Sequence, residues 1–142
     1  GFYTVIHDEY FLISTNLRVL GRFESKDELP AGAKELRTSK ISHAVVGYQL
    51  KFFEGTYTDY LLQILEALSA SELNDSLTLI DAQYRYDIDL YYDDRFEIQI
   101  GSATDLASKL QFVQGILADT AEDAKGIIHV NDVKSASVQI QR

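Results

Sequence analysis

The chain has no cysteine, no methionine and no tryptophan, and one proline in 142 residues. Without cysteine there can be no disulfide, no thiolate metal ligand and no thiol nucleophile. The lack of methionine predicts a piece, or a processed form, of a longer protein. No apolar run approaches the ~20 residues that a bilayer-spanning helix needs, and no secretory leader opens the chain. Positive charge is scarce: 13 Lys and Arg stand against 22 Asp and Glu, a formal net charge of −9. That balance repels phosphate backbones and anionic lipid surfaces, so nucleic acid is not an expected partner.

What is present is ordinary for a folded domain. Hydrophobic residues make up 46% and aromatics 11%, and a single domain of this length can bury roughly 68% of its unfolded surface. Repeats and low-complexity tracts are absent, so residues 1–142 read as one unit.

Periodicity assigns most of the elements. Tyr3 to Ser14 is β-branched and aromatic; Ser14-Thr15-Asn16-Leu17 interrupts it and Arg18 to Phe23 resumes it, which predicts a hairpin. Residues 24–40 are charged, contain Pro30 and Gly32, and read as a surface loop. A third strand is expected near Ala44 to Phe52. From Tyr57 the spacing changes to three and four (Tyr57, Tyr60, Leu61, Ile64, Leu65, Leu68), predicting a helix to about Ala70 with Thr56 as N-cap. Leu77 to Ile80 is extended, and Tyr84 to Tyr92 alternates strictly between apolar and charged residues, predicting a strand.

Hydrophobic register then constrains the next turn. Leu90 must face the same side as Ile98, and Ile88 as Ile100, which favours a three-residue loop, Asp93-Asp94-Arg95, or a bulge. After Gly101 a second helix carries Leu106, Leu110, Val113 and Leu117, with Ser102 or Thr104 as cap, Asp105 in the first turn and an end near Asp119. Gly126 to Val130 and Ala136 to Ile140 are the last two strands. The predicted class is α+β: a mostly antiparallel β-sheet with two amphipathic helices packed on one face.

Catalytic and metal-binding patterns are sparse. His7, His43 and His129 lie far apart, with no second ligand at i+2 or i+4. Asp87 and Asp89 would share a strand face with Cβ atoms about 7 Å apart. Paired carboxylates run glycoside hydrolysis, yet a polar strand face is also where solvated carboxylates belong. Nucleophile-elbow and phosphate-loop motifs are missing, and no cofactor is implied. Tyr84, Tyr86 and Tyr92 could line a sugar-binding groove or serve a protein interface.

The order of several short motifs resembles the extracytoplasmic β-domain of the bacterial cell-division proteins FtsQ and DivIB. Arg95-Phe-Glu-Ile-Gln-Ile-Gly101 is followed by Asp105-Leu106 and Lys109-Leu110 in a helix, then by Gly126-Ile-Ile-His-Val130 and a closing strand. Tyr10 to Leu20 is similar to the family's first hairpin, and Leu29-Pro30 falls where the family commonly has Leu-Pro. Two positions depart. Leu17 stands in place of the hairpin glycine, so Asn16 would supply any left-handed conformation. The last strand lacks the family's aromatic and trailing proline.

The resemblance implies a non-enzymatic scaffold at the outer face of the bacterial cell membrane, at the division septum. A cytoplasmic tail, a membrane span and a POTRA domain would precede Gly1. Partners would be FtsB/DivIC-like and FtsL-like coiled-coil membrane proteins, through which septal wall synthesis is controlled. It further implies that a partner segment adds to the final strand at Ser135, Ala136, Ser137, Val138, Gln139 and Ile140, with Lys109 contributing a basic side chain. Main-chain bonding would supply affinity and alternate side chains selection. An ordinary short edge strand fits those residues equally.

Overall fold

A computed structural model describes residues 1–131 and 136–141. Among the described residues the chain forms β1 (Phe2–Ile6), β2 (Glu9–Ile13), β3 (Val19–Phe23), β4 (Lys34–Arg37), β5 (Ile41–His43), β6 (Lys51–Phe52), α1 (Tyr57–Ser69), β7 (Leu77–Asp81), β8 (Ile88–Tyr92), β9 (Phe96–Gly101), α2 (Leu106–Ala118), β10 (Lys125–His129) and β11 (Ser137–Gln141). Nine of these strands make one sheet in the order β11-β10-β9-β8-β7-β4-β1-β2-β3, and β5 pairs with β6 apart from it. Five of its eight strand pairs are antiparallel; β10–β9, β4–β7 and β1–β4 are parallel. The architecture is α+β, as the periodicity predicts.

One face of the sheet is sealed. Leu61, Ile64, Leu65 and Leu68 of α1 and Leu106, Leu110 and Val113 of α2 join Ile13, Leu36, Ile80, Leu90, Ile98 and Ile128 of the strands in one buried cluster. Each such side chain, fully withdrawn from water, stabilises the fold by roughly 1.5–3 kcal/mol. Tyr57, at the start of α1, is completely buried. Its hydroxyl donates to the Ala82 carbonyl, and burial, as the largest cause, pushes its pKa up to about 12.

Several local expectations are corrected. The opening stretch is two strands, because the chain reverses at His7-Asp8, where both residues have positive φ (48° and 65°) and no glycine advertises the turn. The left-handed residue of the next turn is Leu17 (φ 65°), not Asn16. That conformation costs about 1–2 kcal/mol for a residue with a Cβ, and the total burial of the Leu17 side chain offsets it.

The 24–40 segment is not a surface loop. It contains β4, inserted between β1 and β7. Its outward pair, Glu35 and Arg37, is bonded Nε to Oε2 at 2.6 Å, while Leu36 alone is buried. Instead of one strand over Ala44 to Phe52 there are short β5 and β6, and the segment between them bonds to β3 through Val19 N to Tyr48 O at 2.9 Å and Gly47 N to Val19 O at 2.8 Å.

Residues 84–87 alternate in sequence but lie outside β8. Arg85 is held by Glu54 (2.5 Å) and Thr56 (2.6 Å) beside the start of α1, and the Tyr60 hydroxyl donates to the Arg85 carbonyl at 2.7 Å. Those bonds pull the chain off the sheet. Thr56 consequently makes no cap bond to α1. Asp105 precedes α2 with φ 55° rather than lying in its first turn, and the Ser102 hydroxyl accepts from Thr104 N–H instead of capping the helix. The β8–β9 loop has three residues and sets Leu90 opposite Ile98, as register requires, but a bulge places Ile88 opposite Gly101. Asp93, its first residue, takes the positive φ of 48°.

Candidate functional site

β11 is built by the β10–β11 hairpin, in which Ile128 pairs with Val138 and Gly126 with Ile140. The strands come unusually close at Gly126: a Cβ added there would overlap the Gln139 carbonyl oxygen and lie 2.9 Å from Ile140 Cα. Glycine is thus what lets the last strand seat. Since Ile128 also pairs with the core residue Ile98, Val138 and Ile140 face the helix side of the sheet. They nevertheless stay 37% and 45% exposed, so α2 does not reach over them. Phe112 of α2 is exposed to 43% as well. It lies off the 106/110/113/117 stripe, which is the signal that could have marked it in the sequence.

On the other face Ser137 and Gln139 are exposed, whereas Ala136 packs partly against the core. Ser135 lies outside the described residues. β11 ends the sheet, and among the described residues no strand pairs with its outer edge.

Lys109 is not part of that exposed surface. It is 3% exposed, and its Nζ donates to the carbonyls of Ile100 (3.1 Å) and Ser102 (3.0 Å). The cause is local: Gly101, with φ 77°, turns the chain out of β9, and Lys109, one turn into α2, ties down the carbonyls on either side of that turn. Burial of a lysine requires such partners. These bonds fasten α2 to the end of β9.

The face of the sheet without helices carries rows of paired side chains. Arg37, Asp81, Asp89, Gln99, His129 and Ser137 are successive partners across six strands, and Glu35, Leu79, Tyr91, Glu97, Ile127 and Gln139 form the next row. The Asp89 carboxyl is raised to about 6, first by burial and then by the like charges of Asp87, Glu97 and Asp81.

Asp87 lies before β8, so Asp87 and Asp89 do not share a strand face. Tyr84 and Tyr86 project into solvent at 66% and 83% exposure, while Tyr92 packs partly against the core. The three tyrosines therefore do not line one groove. His7 lies in the β1–β2 turn, while His43 ends β5 and His129 ends β10, and among the described residues no three His, Cys, Asp or Glu side chains gather as a metal site. No described helix is long and apolar enough to cross a membrane.

No family model and no curated protein matches this chain. The residues around β11 offer main-chain hydrogen bonding at an open strand edge, flanked by exposed Val138 and Ile140, which is the chemistry of capturing an extended polypeptide.

Proposed function

We propose that this chain is a non-enzymatic scaffold domain of the FtsQ/DivIB type. In this reading it stands at the outer face of the bacterial membrane at the division septum, binds FtsB/DivIC-like and FtsL-like proteins, and through them helps control septal wall synthesis. The order of motifs from Arg95 to Ile140 motivates the family. The observation that carries the binding mode is the open β11 edge with exposed Val138 and Ile140 on its helix side. A partner strand laid along β11 would extend the sheet and set alternate side chains against Val138 and Ile140. Lys109 is not part of that surface; it holds the junction between β9 and α2.

The test is capture of the extracytoplasmic segment of an FtsB/DivIC-like protein from the same organism. Val138→Pro removes a backbone donor and distorts the strand, and should weaken capture at least tenfold while circular dichroism and thermal melting remain near wild type. Undiminished capture by the folded variant would refute the proposed surface. A second reading, a carbohydrate- or wall-binding module, draws on the exposure of Tyr84 and Tyr86. Saturable binding of wall glycan fragments that Tyr86→Ala abolishes would favour it.

A further inference from the structure

The sheet is split at its middle. β1 and β4 are parallel but pair only at Phe2↔Lys34 and Tyr3↔Glu35, although β1 continues to Ile6 and β4 to Arg37. Beyond Tyr3 the two strands part, and between their carboxyl ends lies a crevice of about 480 Å³ lined by residues 4–7, 35–41 and Gln83. The volume is within the roughly 300–1,000 Å³ typical of ligand sites. The crevice also occupies a distinctive place in the topology: β1 leads into β2 on one side, whereas β4 leads through α1 to β7 on the other. Adjacent parallel strands whose connections leave in opposite directions are where open sheets hold ligands.

The walls are main chain. Lys34 N–H donates to Gly1 O, so strand alternation turns the N–H and C=O of Val5 toward β4. On the facing arm Arg37 O is bonded to Ala82 N on the β7 side, which leaves Leu36 C=O and Thr38 N–H turned toward β1. The register ends before Val5 and Leu36 can meet, and no backbone bond joins Thr38 N–H to Val5 O. Each arm therefore presents one donor and one acceptor toward the gap, the pattern that one side of an extended strand satisfies.

The charged lining is cationic in a chain of net charge −9. Arg37 and Lys40 line the crevice against one carboxylate, Glu35, which Arg37 already engages, and His7 adds an imidazole.

We propose that the β1–β4 crevice binds a short extended peptide segment bearing an acidic side chain. The peptide backbone completes the split between Val5 on one arm and Leu36 and Thr38 on the other, while its carboxylate meets Lys40 and His7. This site is independent of β11, so either can fail without the other.

The probes are two acetylated, amidated pentapeptides, Thr-Val-Asp-Val-Thr and the same sequence with Lys in place of Asp, titrated into the 15N-labelled chain. The Asp peptide should shift the Val5 and Thr38 amide resonances saturably and slow their hydrogen exchange. It should bind at least fivefold more tightly than the Lys peptide, and Lys40→Glu, at an exposed position, should remove that preference. Thr38→Pro, which deletes one donor, should weaken both peptides. Shifts confined to 19–23 or 137–141 would mean simple addition to an outer edge and would overturn the proposal, as would silence at Val5 and Thr38 up to millimolar peptide. Equal binding of the two peptides would overturn the requirement for an acid.

Discussion

Asp89→Asn is expected to make the protein more stable at neutral pH, and the gain should vanish in acid. Asp89 is half-buried in β8, with Asp81 opposite it on β7 and Glu97 and Asp87 nearby. Burial, the largest cause, and then those like charges raise its pKa from 3.8 to about 6. The folded state thus holds this proton to higher pH than the unfolded chain does. Below about pH 4, where the carboxyl is neutral in both states, it carries no penalty; above about pH 6 the penalty is fully present.

A displacement of about two pH units corresponds to roughly 3 kcal/mol at most, and solvent screening of a partly exposed group reduces that to about 1 kcal/mol. For a chain of this size about 1 kcal/mol moves the melting temperature by roughly 2–4 °C. Among the described residues the Asp89 carboxyl accepts no hydrogen bond, so asparagine gives up no partner there. Thermal melts of both proteins from pH 4 to pH 8 provide the measurement. The variant should melt higher at pH 7.5, with the gap closing toward pH 4; a gap independent of pH, or a wild type that melts higher at pH 7.5, would refute the reasoning.

Gly126→Val should displace β11, because the new side chain has nowhere to go but into the Gln139 carbonyl and Ile140; amide exchange in 137–140 should accelerate at least tenfold, and unchanged protection would contradict the close approach. Lys109→Met should cost about 2 kcal/mol by leaving the Ile100 and Ser102 carbonyls without their donor, measurable by urea denaturation, and a loss under about 0.5 kcal/mol would show that water replaces the ammonium without penalty.

Elements with a strong internal period were legible from sequence: α1, the 106/110/113 stripe of α2, and the pairing of Leu90 with Ile98. Those shaped by distant partners were not. β4 carries a single buried apolar residue, and its charges look solvent-bound until Arg37 is seen paired with Glu35 on the bare face. Tyr84 to Asp87 alternates like a strand, but the grip of Glu54 and Thr56 on Arg85 decides otherwise. Lys109 is singled out by spacing, yet spacing alone says nothing about burial, which depends on the two carbonyls that Gly101 presents to it. The crevice is equally silent in the sequence, because it arises from two strands parting rather than from any motif.

The position of β4 also fixes where the fold is least local. Both flanks of the sheet contain hairpins whose partners lie a few residues apart, β1–β2 on one side and β8–β9 on the other. β4 must instead join Lys34 to Phe2 and Glu35 to Leu79, closing two long loops for a strand with one apolar residue to bury. Loop closure is an entropic cost that grows with the logarithm of chain length, and non-local pairing slows folding. The middle of this sheet, rather than its rims, is where topology weighs most against the chain, and the short β1–β4 pairing bears that load with two residue pairs.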